Sequence, residues 1–199
     1  MDKKEIKDFI DNLRETSRKE FLPAMRKQTT QLLVNALQQV NPKLVLEIGT
    51  CLGVSALTVL NETSAFLTTI EIDEKRWLIA KENFCKCGFS GRYNAILGNS
   101  NDVLELIEDE YDFVIMDGAK GSYKKTFLNV LPILKKGGII FIDDVDFLDM
   151  LKEEKVEHKH RTIVNNMREF LAFLENEKSI SYKKYNVDDG VIVVRKKDV

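Results

Sequence analysis

The chain has 199 residues, with 30 Lys+Arg against 32 Asp+Glu for a formal net charge of −2. That length fits one domain spanning residues 1–199 with a sizeable core, and 44% hydrophobic with 31% charged residues is a soluble globular composition. Ten Gly and three Pro exclude collagen-like and Pro/Gly-rich disordered chains. Near-neutrality removes any global pull toward nucleic acid while leaving room for a local patch. The first twenty residues are charged throughout and lack the apolar stretch of a secretory signal. No run approaches the roughly 18 apolar residues of a membrane span. Cys51, Cys85 and Cys87 are an odd, sparse set without a second Cys pair, so a reduced cytoplasmic setting is expected rather than a zinc site.

In chain order, residues 1–42 read as an N-terminal helical segment. Ile6, Phe9, Ile10 and Leu13 recur at helical spacing, Pro23 interrupts, and Leu32, Leu33, Ala36, Leu37 and Val40 mark a second apolar stripe. Strands are expected at 43–48, 66–72, 92–97, 111–116 and 139–142. Helices are expected between them at 54–60, 74–84 (with Trp77, Leu78 and Phe84 inward), 103–107 and 123–134. Such alternation implies βαβ units and a parallel sheet. After a helix at 162–174, two β-rich runs flank Asp188-Asp189-Gly190, a hairpin signal. The expected fold is therefore α/β: a Rossmann-like, doubly wound seven-stranded sheet, mostly parallel, with an antiparallel C-terminal hairpin strand.

Open α/β sheets bind ligands outside the carboxyl ends of their strands. Here Glu47, Glu71, Asp117 and Asp143-Asp144 stand at four of those ends. The first loop, Gly49-Thr50-Cys51-Leu52-Gly53, is G-x-x-x-G and lacks the second glycine that a dinucleotide's pyrophosphate requires. Glu47 just before it would repel a diphosphate and suits an amino group or a cation. Glu71 stands where nucleoside-binding sheets hold ribose hydroxyls. An adenosine ligand carrying an amino acid, such as S-adenosylmethionine, fits this pattern, as does an ordinary βα turn with solvated acids.

The strings VLEIGTCLGVSAL, IEID, GNSNDVL, VIMDGAKGSY and GGIIFIDDV resemble, in order, the motifs of the metal-dependent class I O-methyltransferases, the catechol and caffeoyl-CoA type. The resemblance extends to PAMRKQTTQLL and to the terminal GVIVVRK. It implies that Glu47, Gly49, Thr50, Gly53 and Ser55 hold the methionine part of S-adenosylmethionine. It further implies that Glu71 binds the ribose, and that Ile72 and Ser100 lie against the adenine. By the same resemblance, Asp117, Asp143 and Asp144 ligate Mg²⁺ or Mn²⁺, Asp117 also borders the cofactor and the reacting atoms, and Lys120 of D-x-x-K is the base, with Tyr123 close behind. Asp144 departs from the family's usual Asn, adding negative charge. The chemistry is consistent: hard divalent cations take oxygen ligands, a Lewis acid lowers a hydroxyl pKa, and a positioned amine takes the proton. Against this, acids at strand ends also serve as helix caps or solvated loop residues.

The bacterial branch of this family includes a tRNA 5-hydroxyuridine methyltransferase, which AKGSYKK and HRTIV resemble, beside enzymes for small catechols. A 5-hydroxyuracil presents a hydroxyl next to a carbonyl, as a catechol presents two adjacent oxygens. Arg26, Lys27, Lys124 and Arg161 are the candidate phosphate contacts, solvated helix faces being the plainer explanation of most basic groups here. His158 and His160 read as surface residues, and Cys85-Lys86-Cys87 as a helix end capped by Gly88. Phe147–Leu151 reads as an acceptor wall or a subunit contact, and the resemblance implies a homodimer with no membrane partner. The alternatives from other classes are an NAD(P)-dependent oxidoreductase and a non-catalytic binding module.

Overall fold

The computed structural model describes residues 1–146 and 157–198. Along the chain lie α1 (Lys3–Lys19), α2 (Lys27–Val40), β1 (Leu44–Ile48), α3 (Val54–Glu62), β2 (Phe66–Glu71), α4 (Glu74–Lys86) and β3 (Tyr93–Leu97). There follow α5 (Ser100–Leu104), β4 (Tyr111–Met116), α6 (Tyr123–Ile133), β5 (Leu134–Ile142), α7 (Arg161–Asn176), β6 (Ile180–Tyr185) and β7 (Val191–Lys196). Among the described residues, seven strands form one sheet in the order β3-β2-β1-β4-β5-β7-β6. β1 to β5 pair in parallel, and β7 inserts antiparallel between β5 and β6. This is the expected Rossmann-like topology with its reversed hairpin strand.

The central strands read as apolar runs because both faces are covered. On one face Val45, Leu67, Phe113 and Phe141 pack with α1, α2, α3 and Phe84. On the other, Leu46, Val114, Ile140 and Ile192 pack with Phe127, Met167 and Phe170 of α6 and α7. α3 is buried from Val54 to Asn61, being enclosed by the sheet and by α1 and α2. α1 starts in a reciprocal capping box, Asp2 accepting from Lys4 and Glu5 backbone N–H while Glu5 accepts from Asp2 N–H.

Three expectations are corrected. Leu78 does not face inward: it is 48% exposed, because α4 flanks the sheet near its β3 edge and turns Ala80, Asn83 and Phe84 to the core instead. Trp77 is half-buried, its Nε1–H donating to the Ala95 carbonyl at 3.0 Å. The short helix runs Ser100–Leu104 rather than 103–107, since Asn99 caps it by accepting from Asn101 N–H. β5 begins at Leu134, not Ile139: Tyr111 pairs with Leu134, and the register then shifts so that Phe113 meets Ile139. Gly137, at φ +73°, supplies the conformation that this shift needs.

The strands end in step. Gly49 N–H bonds the Ile70 carbonyl, Asp117 N–H that of Ile48 and Asp143 N–H that of Met116, at 2.9–3.0 Å. The loops after β1, β2, β4 and β5 thus open on one rim of the sheet.

Candidate active site

Glu47 is wholly buried beneath the first loop, not on a cleft wall. Its Oε2 accepts from Thr69 Oγ1 at 2.5 Å, and Thr69 Oγ1 lies 2.5 Å from Thr50 Oγ1. A hydroxyl has one proton to give, so the chain runs Thr50 to Thr69 to Glu47. Glu47 Oε1 has no hydrogen-bond partner among the described residues. Burial pushes this carboxyl up to about 7, against the nearby hydroxyls of Ser55 and Thr69, with Glu71 adding to the rise.

The loop above takes its shape from two glycines. At Gly49 (φ +94°) a Cβ would collide with the backbone carbonyl of Asp117. At Gly53 (φ +91°) it would lie 2.6 Å from the Phe84 ring. Only glycine permits that backbone and that approach. The tight loop aims Cys51 N–H at Glu71 Oε2 (2.8 Å), while Glu71 Oε1 accepts from Ile72 and Asp73 N–H (2.9 Å each). A carboxylate has about four acceptor positions, so Glu71 is held rigidly with capacity left for a ligand hydroxyl.

Glu71 lines a cleft of about 320 Å³, with Ile72, Ser100, Cys51, Gly49 and Asp117 also on its wall. Ile72 presents a 68% exposed apolar side chain there. Thr50 and Ser55 line a small adjoining recess with Gly49 and Asp117. Gly53 and Glu47 support the loop from behind. The expected cofactor residues are thus brought together, seven on the cleft and recess walls and two, Glu47 and Gly53, as buried supports.

A second cleft, of about 990 Å³, opens between the α1–α2 connection and the ends of β4 and β5. Asp117, Asp144 and Pro23 line both clefts. Asp117 is pushed well above the carboxylate range by burial and by Asp143, with Lys120 opposing. Asp143 is pushed up to about 7 by burial, against the Asp144 backbone N–H that its Oδ1 accepts at 2.7 Å. Lys120 opens a short 3₁₀ turn and places Nζ 2.5 Å from Asp144 Oδ2. Tyr123 is buried behind this pair, its hydroxyl donating to the Asp143 carbonyl at 3.0 Å and its ring packing on Phe170. It anchors the end of β5.

Of the four candidate phosphate contacts, Arg26 and Lys27 border the larger cleft. Lys124 instead lies over the Phe173 ring, and Arg161 opens α7. His158 and His160 belong to a 3₁₀ turn before α7, His158 being exposed. The Phe147–Leu151 stretch lies outside the described residues.

Asp188 and Asp189, which sequence reasoning took only as turn residues, form part of the larger cleft's wall. Asp188 accepts from Thr29 N–H and Oγ1 at 2.9 Å each, capping α2 from 159 positions away. Asp189 pairs with Arg26 at 2.7 Å. One signal was available: the N-cap position of α2 is Arg26, which makes no capping side-chain hydrogen bond of its own.

A protein-family profile described as O-methyltransferase matches residues 2–197. The chain belongs to the O-methyltransferase family. These enzymes draw their methyl group from S-adenosylmethionine, which selects methyl transfer over dinucleotide-dependent oxidation. This O-methyltransferase is 27% identical over 171 residues to caffeoyl-CoA O-methyltransferase of Populus kitakamiensis, covering 80% of this chain and 72% of the relative. Its fold is similar to that of a Staphylococcus aureus protein assigned provisionally as a caffeoyl-CoA O-methyltransferase, at TM-score 0.88 and 26% identity over 98% of each chain. It is also similar to Podospora anserina methyltransferase PaMTH1, solved bound to S-adenosylhomocysteine, at TM-score 0.78 and 26% identity over 87% of this chain and 80% of that one. Among the described residues, no helix of the O-methyltransferase is long and apolar enough to cross a membrane.

Proposed function

We propose that residues 1–199 form one catalytic domain that moves the methyl group of S-adenosylmethionine to a hydroxyl standing next to a second oxygen, and that the acceptor is a 5-hydroxyuridine in tRNA. The observation that carries the reaction is the meeting of the two clefts at Asp117 and Asp144, beside Lys120. A nucleoside-sized ligand held by Glu71 and Ile72 would direct its sulfonium end toward this junction, and an acceptor in the larger cleft would reach it from the other side. PaMTH1 carries the demethylated cofactor, which supports the same donor here.

A divalent cation fits the donor chemistry of the junction. Asp117, Asp143 and Asp144 are hard oxygen donors, two of them desolvated and repelling one another. They are not already gathered as a metal cage among the described residues, since Asp144 faces Lys120 and Asp143 turns back on the Asp144 N–H. Mg²⁺ or Mn²⁺ held by these three residues would supply Lewis-acid lowering of the acceptor hydroxyl's pKa. Lys120 Nζ is the group that takes the acceptor's hydroxyl proton. Glu71 and the glycine loop fix the donor's attitude, so most of the catalysis is orientation.

The RNA acceptor is favoured by the rim. Arg14, Arg18, Arg26 and Lys27 border a cleft near the upper end of the range for drug-sized ligands, which run to about 1,000 Å³. The second reading, a small catechol-type acceptor in a cytoplasmic homodimer, rests on the relative that acts on a caffeoyl group. Incubation with S-adenosylmethionine, Mg²⁺ and either hydroxyuridine-bearing tRNA or a catechol panel tests both. Methylated tRNA nucleoside by mass spectrometry is the expected result, and product from catechols alone overturns the RNA acceptor. Lys120→Ala is expected to lower kcat by 100-fold or more. Undiminished turnover in that variant removes Lys120 as the base.

A further inference from the structure

The most exposed large apolar side chain among the described residues is Phe21, 95% exposed, on the wall of the larger cleft. Its backbone is left-handed at φ +55°. Phe21 follows Glu20, the C-cap of α1, and the two closing hydrogen bonds are Leu22 N–H to the Ser17 carbonyl (2.8 Å) and Phe21 N–H to that of Arg18 (3.4 Å). This is the Schellman arrangement, in which the left-handed position is ordinarily glycine. An aromatic residue there carries a conformational penalty and leaves its whole apolar surface in water. Neither packing nor turn geometry accounts for it, and places where a chain breaks its local rules are where function is sought.

Cations border the same cleft. Arg18, two residues before the C-cap, has no ion-pair partner among the described residues, while the exposed Arg26 pairs with Asp189 at 2.7 Å and the exposed Lys27 with Asp11 at 3.4 Å. Arg14 holds the connection in place by donating Nε–H to the Met25 carbonyl at 2.9 Å and Nη2–H to Thr30 at 3.1 Å. An open π-face beside guanidinium groups at the mouth of a deep cleft is the combination that binds single-stranded nucleic acid: stacking for a base, cations for its phosphate.

We infer that Phe21 is an acceptor-contacting residue, stacking on the base next to the methylated nucleoside of a single-stranded RNA loop while Arg18 and Arg26 each hold a phosphate flanking that base. This rests on the RNA acceptor proposed above and names the contact that reads its neighbour. A catechol has neither a neighbouring base nor a phosphate, so the inference separates the two acceptors.

The probe is a synthetic RNA hairpin carrying 5-hydroxyuridine in its loop with 2-aminopurine beside it. Binding to the wild-type protein is expected to quench 2-aminopurine fluorescence, Phe21→Gly to lose most of that quenching, and Phe21→Trp to keep it. Phe21→Gly is expected to raise KM for the hairpin about tenfold or more, from the usual strength of base–aromatic stacking, and to affect the free nucleoside far less. Because glycine suits the left-handed position, its melting temperature should match or exceed that of the wild type, which separates lost contact from lost folding. Equal quenching and equal KM in wild type and Phe21→Gly overturn the stacking role even if tRNA is methylated. A change of oligomeric state in Phe21→Gly by sedimentation, with quenching intact, also overturns it, assigning the ring to a second copy of the chain. Methylation of catechols but of no RNA fails the acceptor reading itself and is read separately.

Discussion

At the scale of single residues, the buried Glu47 carries a definite pH signature. Its folded-state pKa of about 7 lies above the ordinary 4.5, so between those values the folded protein holds a proton that the unfolded chain has released. Its favourable contribution is complete below about pH 4.5 and is lost as pH rises through 7. The full span is of order 3 kcal/mol from the shift of 7 over 4.5. Glu47→Gln keeps an acceptor for Thr69 and never ionises. Urea unfolding at pH 5 and pH 8 is expected to show the variant gaining stability over wild type only at the higher pH, by about 1–3 kcal/mol. An identical difference at both pH values would remove the buried charge as the cause. Gly49 gives a second expectation at this scale. An alanine Cβ would meet the Asp117 carbonyl at a backbone angle that alanine resists, so Gly49→Ala should displace one of the two loops. Loss of S-adenosylhomocysteine binding by at least tenfold in calorimetry is expected, with the melting temperature lowered as well.

At the scale of elements, the β6–β7 tip does more than turn the chain. It caps α2 through Asp188 and holds Arg26 at the mouth of the larger cleft through Asp189. Asp188→Ala removes both bonds to Thr29 and is expected to lower stability by about 1–2 kcal/mol in chemical denaturation, as loss of a helix cap does. Asp188→Asn, which keeps an acceptor and tolerates the left-handed φ of +49°, should recover most of it. This tip also shows where sequence reading stops. The strands, the glycine loop and the acidic strand ends were legible because periodicity and local spacing encode them. The pairing of Asp188 with Thr29 was not, because it joins opposite ends of the chain and no local pattern records which loop a hairpin tip will meet. Leu78 failed for a related reason: α4 has several apolar positions, and only the sheet's edge decides which of them face it. Pro23, unremarkable in sequence beyond breaking a helix, proves to border both clefts because the α1–α2 connection crosses the rim.

For the whole molecule, the net charge of −2 conceals a separation of charge. Asp117, Asp143 and Asp144 line the larger cleft at the ends of β4 and β5, while the exposed Arg18, Arg26 and Lys27 stand on its rim, Arg26 paired with Asp189. Such an arrangement gives little general affinity for polyanions and favours one that brings a hydroxyl to the acids and a few phosphates to the rim. The number of phosphates can be read from salt. If Arg18, Arg26 and Lys27 each neutralise one phosphate of a single-stranded loop, the logarithm of affinity should fall with that of salt concentration at a slope of about −2. Raising salt from about 50 to about 200 mM should then weaken hairpin binding roughly fifteen-fold. Arg18→Ala and Lys27→Ala should each flatten the slope by about 0.7. An uncharged catechol has no phosphates to lose, so its KM should stay level over the same range. A flat salt response for the hairpin would place its phosphates away from this rim, whatever the fate of the base at Phe21. A slope far steeper than −2 would mean that cations beyond the rim, such as Lys124 or Arg161, join the interface.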